Sequence, residues 1–492
     1  MENIKNILKI KYNSLSINMR ASLWFLVSAF FQRGISVITT PIFTRLMTTD
    51  EYGEFSIFYS WYGIITIFVT LNLYFGVYVR GLVKYEDERE IFSSSMEGLT
   101  LVLTVTWLMI YLIFYRFFND LFLLSTSQIL CMFLIIWSGS AFNFWAAKQR
   151  VDLNYKYLVL LSIIAVVLTP IIQIVLMYII EDKVMARIYG MTIVNSILYI
   201  PLFVKQMKTG KIFYSKKYWK YALFFNIPLI PHYLSQTILN NADRLMINDI
   251  VGASEAGIYS LAYSVSQIMI IFNSSLMQTI EPWLYKKIKN EQVSEISDVA
   301  YPAFILIAIV NIILIIFAPE IIIVFAPISY HDAIWIIPPV AMSVFFQFIY
   351  TFFAVFEFYY EKTHYITLAT FGGAFLNIIL NYIFIKKYGY YAAGYTTLIC
   401  FILYSVFHYY FMNKLIREHH SCKIIYDLRI ILLITVIFIL VGFLLLFTYP
   451  YPFIRYAVIV VVTASFVVNK KRIMQQIKKF ISLRKTARKE AI

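Results

Sequence analysis

Long apolar stretches separated by short polar breaks run along nearly the whole chain. Residues 158–180 and 430–447 stay apolar for far longer than the about 10 alternating positions of a membrane β-strand, which predicts helices rather than a barrel. Because a bilayer-spanning helix needs roughly 20 apolar residues, the pattern predicts 14 transmembrane helices. Their predicted bounds are 22–43, 52–79, 96–115, 121–145, 157–180, 188–204, 221–239, 258–280, 300–318, 334–356, 365–385, 391–411, 430–447 and 454–468.

Composition supports the same class of fold. Of the 492 residues, 61% are hydrophobic and 14% are charged, and the mean hydropathy is +0.73. A soluble domain is about 45–50% apolar and about 25% charged, so a soluble enzyme with a single anchor is excluded. The sequence therefore predicts an all-α polytopic membrane protein.

The net charge of +15 is distributed unevenly along the chain. If the N-terminus is cytoplasmic, the predicted inner segments hold 33 of the 42 Lys and Arg residues, and the outer loops hold eight. The remaining one, Arg33, lies inside the first predicted span. Because cytoplasmic loops retain basic residues, this asymmetry predicts that both termini are cytoplasmic. The charge is then a topology signal, and no nucleic-acid partner is expected.

A repeat relates the two halves of the sequence. TRLM at 44–47 is followed by EYGEFSIFYS at 51–60, and DRLM at 243–246 is followed by EAGIYSLAYS at 255–264. The copies are 199 to 204 residues apart, which corresponds to six predicted spans, so both enter the membrane in the same direction. Parallel repeats of this kind are typical of transporters built from two halves.

The repeat and the charge runs together predict six parts. They are a basic cytoplasmic N-terminal segment (1–20), an N-terminal six-helix bundle (21–204), a basic cytoplasmic linker (205–220), a C-terminal six-helix bundle (221–413), two appended transmembrane helices (414–469) and a basic amphipathic cytoplasmic tail (470–492).

Several motifs resemble the polysaccharide transporter (oligosaccharide flippase) family of the multidrug/oligosaccharidyl-lipid/polysaccharide exporter superfamily. They are GIS at 34–36, TPIFTRL at 40–46, EYGEFS at 51–56, PLIPHYLS at 228–235, DR at 243–244 and GIYSLAY at 257–263. The resemblance implies a flippase in the bacterial cytoplasmic membrane. It would move undecaprenyl-diphosphate-linked oligosaccharides from the inner to the outer leaflet, by alternating access, for O-antigen, capsule or another surface polysaccharide.

The resemblance also implies partners. These are the lipid-linked oligosaccharide itself, the membrane lipids, a polysaccharide polymerase with its chain-length regulator, and a coupling ion, either H⁺ or Na⁺. No cofactor and no metal are expected. The chain has no phosphate-binding Gly-x-x-x-x-Gly-Lys-Ser/Thr loop and no His-Glu-x-x-His motif, which predicts that it is not an enzyme.

Arg33, beside Gln32, is the first candidate for a substrate-binding cavity. An Arg in the middle of a membrane helix costs roughly 2.5–3.5 kcal/mol, so it is expected to face a polar cavity or a partner. Its planar guanidinium matches phosphate geometry. A structural ion pair or a snorkelling side chain is the alternative.

Other polar residues at membrane depth fall into three groups. The further cavity candidates are Asn72, His232, Gln236 and Gln267. The outer-gate candidates are Arg45, Asp243 and Arg244, although adjacent charges can also satisfy each other. The hinge candidates are Pro41, Pro228 and Pro231, because proline removes a backbone donor and disturbs a helix. Interhelical hydrogen bonding is the alternative for the neutral polar groups and for His232.

Two other transporter functions remain open. A cation-coupled multidrug exporter of the same superfamily would need an intramembrane carboxylate in the N-terminal half, whereas Glu54 and Glu97 are predicted near span ends. A lipid II flippase would be expected to carry more arginines than Arg33 alone. A membrane glycosyltransferase or polymerase is disfavoured because no long outer loop is predicted.

Overall fold

The computed structural model describes residues 17–419 and 425–468. Within its helices, the side chains of residues 17–19, 22, 23, 26, 29, 30, 33, 363 and 461–468 are outside the described part. Most of the predicted N-terminal segment, the predicted amphipathic tail and the Arg33 side chain therefore lie outside the described residues.

The described residues form α-helices and short 3-10 turns, with no strand among them. The α-helices are α1 Ile17–Leu46, α2 Thr49–Thr70, α3 Val77–Lys84, α4 Arg89–Ile113, α5 Tyr115–Phe122, α6 Thr126–Val151, α7 Tyr155–Ile179, α8 Lys183–Gly210, α9 Lys216–Asn226, α10 Ile230–Ile250, α11 Ala253–Ser266, α12 Ile268–Lys289, α13 Ser297–Ile316, α14 Ala318–Phe325, α15 Ile337–Tyr359, α16 Thr363–Tyr388, α17 Tyr391–His419, α18 Leu428–Leu446 and α19 Pro452–Val468. The 3-10 turns are Glu86–Glu88, Ile227–Leu229, Val293–Glu295 and Ile328–Trp335.

The prediction of an all-helical multi-pass membrane protein is confirmed. In the described part of the chain, ten helical segments are long and apolar enough to cross a membrane. The predicted number of fourteen and the cytoplasmic termini stay predictions. One reason for the difference is that the predicted seventh span, 221–239, is divided between α9 and α10 by the 3-10 turn Ile227–Leu229.

The chain divides into two compact units, Met1–Thr237 (unit 1) and Ile238–Ile492 (unit 2). The division lies within α10, seventeen residues after the predicted boundary at 220/221. Each unit has its own packed interior. The six predicted parts remain a prediction.

An aromatic cluster forms part of the interior of unit 1 where α3, α4, α6 and α9 meet. Tyr78 stacks on Phe92 with ring centroids 5.6 Å apart and meets Phe144 edge-on at 4.7 Å. Tyr218 of α9 meets Phe92 edge-on at 5.3 Å. Such pairs stabilise beyond simple burial, which matters in a membrane, where lipid tails are as apolar as the side chains.

The centre of unit 2 is the Phe-rich helix α15, and most of its side chains are buried. Phe304 of α13 meets Phe352 edge-on with a centroid distance of 5.0 Å. Phe345 lies 4.1 Å from Phe438 of α18. Because α15 is covered by neighbouring helices, polar groups on it face protein rather than lipid.

The two repeat copies occupy equivalent junctions, between α1 and α2 and between α10 and α11. Thr48 caps α2, because its hydroxyl accepts a hydrogen bond from the Glu51 backbone amide at 3.2 Å. In turn, the Glu51 carboxylate accepts from the Thr48 backbone amide at 2.8 Å. In the second copy Glu255 holds the same third position of α11, but the N-cap is Gly252, which has no side chain to offer.

Candidate functional site

A buried carboxylate lies at the centre of a polar cluster in unit 2. Asp243 of α10 is 1% exposed and accepts hydrogen bonds on both oxygens. Tyr259 of α11 donates to Oδ2 at 2.6 Å, and Thr397 of α17 donates to Oδ2 at 2.8 Å. Asn381 of α16 donates to Oδ1 at 2.6 Å. Four helices of unit 2 therefore converge on one acidic group.

Two asparagines extend this cluster along α16. The Asn381 amide also donates to Oδ1 of Asn377 at 3.1 Å, and its own oxygen accepts from Thr396. Asn377 and Asn381 are both fully buried, one helical turn apart. The Nδ2 atom of Asn377 has no hydrogen-bond partner among the described residues. We call Asp243, Tyr259, Asn377, Asn381 and Thr397 the Asp243 cluster.

The Asp243 carboxylate is surrounded by neutral side chains. All donors to Asp243 are neutral, and within the described part of the chain the carboxylate has no ion-pair partner. A buried charge without a counter-charge is costly. A proton would neutralise it, and so would a hard cation coordinated by the Asp243 oxygens.

In the matching junction of unit 1, the position aligned with Asp243 is not acidic. The residue aligned with Asp243 is Thr44, which is fully buried and donates to the Pro41 carbonyl at 3.2 Å. Here the charged group is Arg187 of α8, whose guanidinium lies over Phe55 at 3.7 Å and over Phe43 at 4.0 Å. We call Phe43, Met47, Tyr52, Phe55 and Arg187 the Arg187 cage.

Two interrupted helices meet elsewhere in unit 1. The segment between α2 and α3 turns at residues 71–76, where Leu71, Asn72 and Gly76 all have positive φ. The second interruption is the 3-10 turn Ile227–Leu229. Asn226, fully buried, donates to the Leu71 carbonyl at 2.6 Å. Such non-helical backbone is tolerated at membrane depth only inside protein or beside a cavity, and transporters use it to form binding sites.

Several predicted cavity residues lie at helix interruptions. Asn72 is in the 71–76 turn and accepts from Tyr74 at 3.2 Å. Nδ1 of His232, on the first turn of α10, is buried without a hydrogen-bond partner in the described part. Gln267 lies at the junction of α11 and α12, and its Nε2 atom is likewise buried without a described partner. Gln236 is on an exposed face of α10.

The remaining predicted residues lie elsewhere. Gln32 donates to Ser28 within α1 at 3.1 Å, and the side chain of its neighbour Arg33 is outside the described part. The exposed Arg45 donates to the Pro41 carbonyl at 2.8 Å. Arg244 packs over Tyr263 at 4.2 Å and donates to the Asn240 carbonyl at 3.0 Å, so it does not pair with Asp243.

The three hinge prolines have different surroundings. Pro228 lies in the 3-10 turn and Pro231 in the first turn of α10, where a missing amide costs little. Pro41 lies within the uninterrupted helix α1. There the missing amide of Pro41 leaves the Val37 carbonyl without its helical donor.

Two buried acids were not expected from the sequence. Glu97 was predicted near a span end, but α4 begins at Arg89, so Glu97 is two turns inside the helix and 0% exposed. It accepts from Gln206 of α8 at 2.7 Å. Glu357 of α15 is also 0% exposed and contacts His408 of α17 at 2.8 Å. The sequence signals for buried polar contacts in unit 2 are polar residues in otherwise apolar spans, namely Asn377, Asn381 and His408.

Comparison with known proteins identifies the family. The family model described as polysaccharide biosynthesis protein matches residues 19–288, which is more than half of the chain. The chain belongs to this family. It is also 26% identical over 141 residues to Lsg locus putative protein 1 of Haemophilus influenzae, an alignment that covers 27% of this chain and 35% of that protein.

Solved structures share the fold. The lipid II flippase MurJ in an inward closed conformation is similar with a TM-score of 0.65 and 15% identity, over 89% of this chain and 100% of that one. An inward-facing multidrug resistance MATE transporter of the MOP superfamily gives a TM-score of 0.60 and 13% identity, over 79% and 96%. The chain therefore shares its fold with these two transporters.

Proposed function

We propose that this protein is a flippase that carries undecaprenyl-diphosphate-linked oligosaccharide units from the inner to the outer leaflet of the bacterial cytoplasmic membrane. The observation that carries the proposal is the family match over residues 19–288, together with a fold shared with a lipid II flippase. The transported unit would supply O-antigen, capsule or another surface polysaccharide.

Transport would proceed by alternating access and would be coupled to a cation. The Asp243 cluster is the proposed coupling site, because its carboxylate is buried, hydrogen-bonded only to neutral groups and shared by four helices of one unit. Binding of H⁺ or Na⁺ would neutralise the carboxylate and change how tightly α10, α11, α16 and α17 hold together. An ion shifts an equilibrium only through such differential binding.

Substrate contacts are proposed for five residues of unit 1 and for Gln267 of unit 2. Arg33 and Gln32 would bind the diphosphate, with Asn72 and His232 beside the two helix interruptions, and with Gln236 and Gln267 as further polar contacts. Arg45 and Arg244 would act at the outer gate, and Pro41, Pro228 and Pro231 at hinges. A polymerase and its chain-length regulator would receive the product. Both chain termini are proposed to be cytoplasmic.

The test is deletion of the gene in its own host. We expect lipid-linked repeat units to accumulate on the inner leaflet and surface polysaccharide to be lost, with recovery when the wild-type gene returns. An Arg33→Ala variant that inserts normally should fail to restore the polysaccharide. Unchanged surface polysaccharide with new drug sensitivity would contradict the proposal.

A cation-coupled multidrug exporter is the second candidate. The similarity to MATE transporters and the burial of Glu97 both favour it, because an intramembrane carboxylate in the N-terminal half is what that function requires. Drug accumulation measured in the same deletion strain separates the two. Unchanged surface polysaccharide in the deletion strain, together with drug efflux that returns with the wild-type gene but not with Glu97→Gln, would favour the exporter.

A further inference from the structure

A buried acid–imidazole pair joins the two most extensively packed helices of unit 2. Glu357, near the C-terminal end of α15, faces His408 of α17, with Oε1 and Nδ1 2.8 Å apart. Both side chains are 0% exposed. The pair is separate from the Asp243 cluster, and the proposed function gives it no role.

Each partner keeps one buried polar atom without a described hydrogen bond, namely Oε2 of Glu357 and Nε2 of His408. With one proton the pair is neutral overall, either as acid and imidazole or as carboxylate and imidazolium. A second proton leaves a charge of +1, and loss of the proton leaves a charge of −1. In each of these protonation states, at least one of the two atoms that point away from the contact, Oε2 of Glu357 or Nε2 of His408, lacks a described hydrogen-bond partner. An unpaired polar atom is costly in a buried site.

The surroundings hold the imidazole in place without neutralising it. Tyr350 of α15 stacks on His408 with centroids 5.2 Å apart, and Tyr404 of α17 meets it edge-on at 4.5 Å. The Tyr404 hydroxyl bonds with Thr370 of α16 at 3.1 Å. Aromatic rings therefore pack against the imidazole on two sides. Oε2 of Glu357 and Nε2 of His408 make no described hydrogen bond.

The titratable groups around the pair come from each neighbouring helix. His364 of α16 interacts electrostatically with Glu357, as does Tyr404. Tyr285 of α12 packs on Tyr359, two residues from Glu357. Tyr301 of α13 meets Tyr426, which packs on Phe353 one turn from Glu357.

A line of polar groups connects the pair with the Asp243 cluster. Thr397 and His408 are eleven residues apart on α17, which is about three turns, so they share one helix face about 16 Å apart. Between them, Cys400 interacts with Asn377, and Tyr404 bonds with Thr370. All of these side chains are buried. The Asp243 cluster and the pair are therefore the two ends of one buried polar column in unit 2.

From this juxtaposition we propose that Glu357 and His408 form a proton-binding pair that takes up and releases one proton in each transport cycle. On release, the proton leaves the neutral pair for water and a carboxylate with a neutral imidazole remains. Uptake reverses the step. The polar column along α17 links that charge change to the Asp243 cluster. This role rests on the proposed transport function, but proton binding by the pair does not.

Unit 1 provides an internal control. Gln206 of α8 is 202 residues before His408, within the range of the repeat offset, and it likewise contacts a buried acid, Glu97. Because an amide does not titrate, the Glu97–Gln206 pair has no second basic group. A His408→Gln variant therefore removes the titratable imidazole and leaves an amide that can hydrogen-bond with Glu357, as Gln206 does with Glu97.

The direct test is infrared difference spectroscopy across pH steps on the full chain in phosphatidylethanolamine–phosphatidylglycerol nanodiscs. We expect a carboxyl protonation signal that disappears in Glu357→Gln, moves to a different pH in His408→Gln and is unchanged in Glu97→Gln. Thermal unfolding of each variant checks that it is folded. A signal that persists in Glu357→Gln, or no signal from this residue in the folded wild type, overturns the proposal.

A second readout separates proton binding from a purely structural contact. In proteoliposomes holding the host's lipid-linked repeat unit, a pH gradient should change the wild-type translocation rate about tenfold, the size of an ordinary coupling free energy. The folded His408→Gln variant should lose this pH dependence. A structural pair would lower thermal stability but leave the pH profile unchanged, which contradicts the proposal. If the infrared signal is present but no lipid moves, the transport function fails and the proton site stands.

Discussion

The two copies of the repeat fold into matching junctions but contain opposite chemistry. In unit 1 the junction holds a cation, Arg187, enclosed by aromatic rings, whereas in unit 2 it holds an acid, Asp243, enclosed by hydrogen-bond donors. The aligned residues differ in the same way: Thr44 in unit 1 corresponds to Asp243 in unit 2, and Phe55 corresponds to Tyr259.

The difference indicates that the two halves of one fold can have different roles, a fixed contact in unit 1 and a change of charge in unit 2. A guanidinium on aromatic faces is a permanent charge held by packing, so the Arg187 cage is suited to a fixed contact. A carboxylate with neutral donors changes its charge when it binds H⁺ or another cation, so the Asp243 cluster is suited to a change of state. The following predictions test that contrast, from the largest expected effect to the smallest.

Removing the acid should have the largest effect. We expect Asp243→Asn to lower translocation in proteoliposomes at least about tenfold, because a neutral amide no longer exchanges charge with a cation. The matched control is Thr44→Val at the aligned position of unit 1, which should leave the rate within about twofold, since the Thr44 hydroxyl carries no charge. Equal losses in both variants would contradict the division of tasks.

Removing one donor should weaken the cation site without abolishing it. Tyr259→Phe introduces the residue type that unit 1 has at Phe55, and it removes a hydrogen bond of 2.6 Å to Asp243. A hydrogen bond to a charged group contributes about 1.5–3 kcal/mol, so the concentration of Na⁺ or H⁺ that gives half-maximal transport should change at least about tenfold. An unchanged cation dependence would exclude Tyr259 from the site.

The Arg187 cage should matter for stability more than for ion dependence. We expect Arg187→Ala to lower the free energy of unfolding by about 2 kcal/mol, because the guanidinium over Phe43 and Phe55 is shielded from solvent. Thermal unfolding in detergent measures this. The surviving folded fraction should keep the wild-type cation dependence, and Arg187→Lys should recover only part of the stability because an ammonium lacks the flat stacking surface. A shift in cation dependence would show that the cage belongs to the coupling site.

The helix interruption in unit 1 should give the smallest effect. Gly76 has φ +53°, and a side chain there should cost about 1–2 kcal/mol. Gly139 of α6 is the control, because a Cβ there meets only the Tyr62 hydroxyl at 3.9 Å. We therefore expect Gly139→Ala to be neutral or stabilising by up to ~1 kcal/mol. Equal thermal shifts for the two variants would mean that the turn at 71–76 does not require a glycine.

The fold class was predictable because hydrophobic runs are a local property of the sequence. Interruptions were only partly predictable. Pro228 correctly indicated the interruption at Ile227–Leu229. The turn at 71–76 contains no proline, and Pro41 lies in an uninterrupted helix, so proline was not a reliable guide. Glu97 was placed near a span end because α4 begins several residues before the apolar run that predicted it.

The candidate site was less predictable because it depends on contacts between distant helices. Asp243 was visible as a charge at a span end, but its partners Asn381 and Thr397 follow it by 138 and 154 residues. No local pattern links them. The same holds for Glu357 and His408, which are 51 residues apart and meet only when α15 packs on α17.

The most direct test of the account is translocation of the host's lipid-linked repeat unit by purified protein in proteoliposomes, comparing wild type with folded Asp243→Asn. The account predicts movement of the lipid to the opposite leaflet by wild type, dependent on an H⁺ or Na⁺ gradient, and little movement by the variant. Wild-type protein that leaves the lipid in place while exporting an organic cation would contradict it.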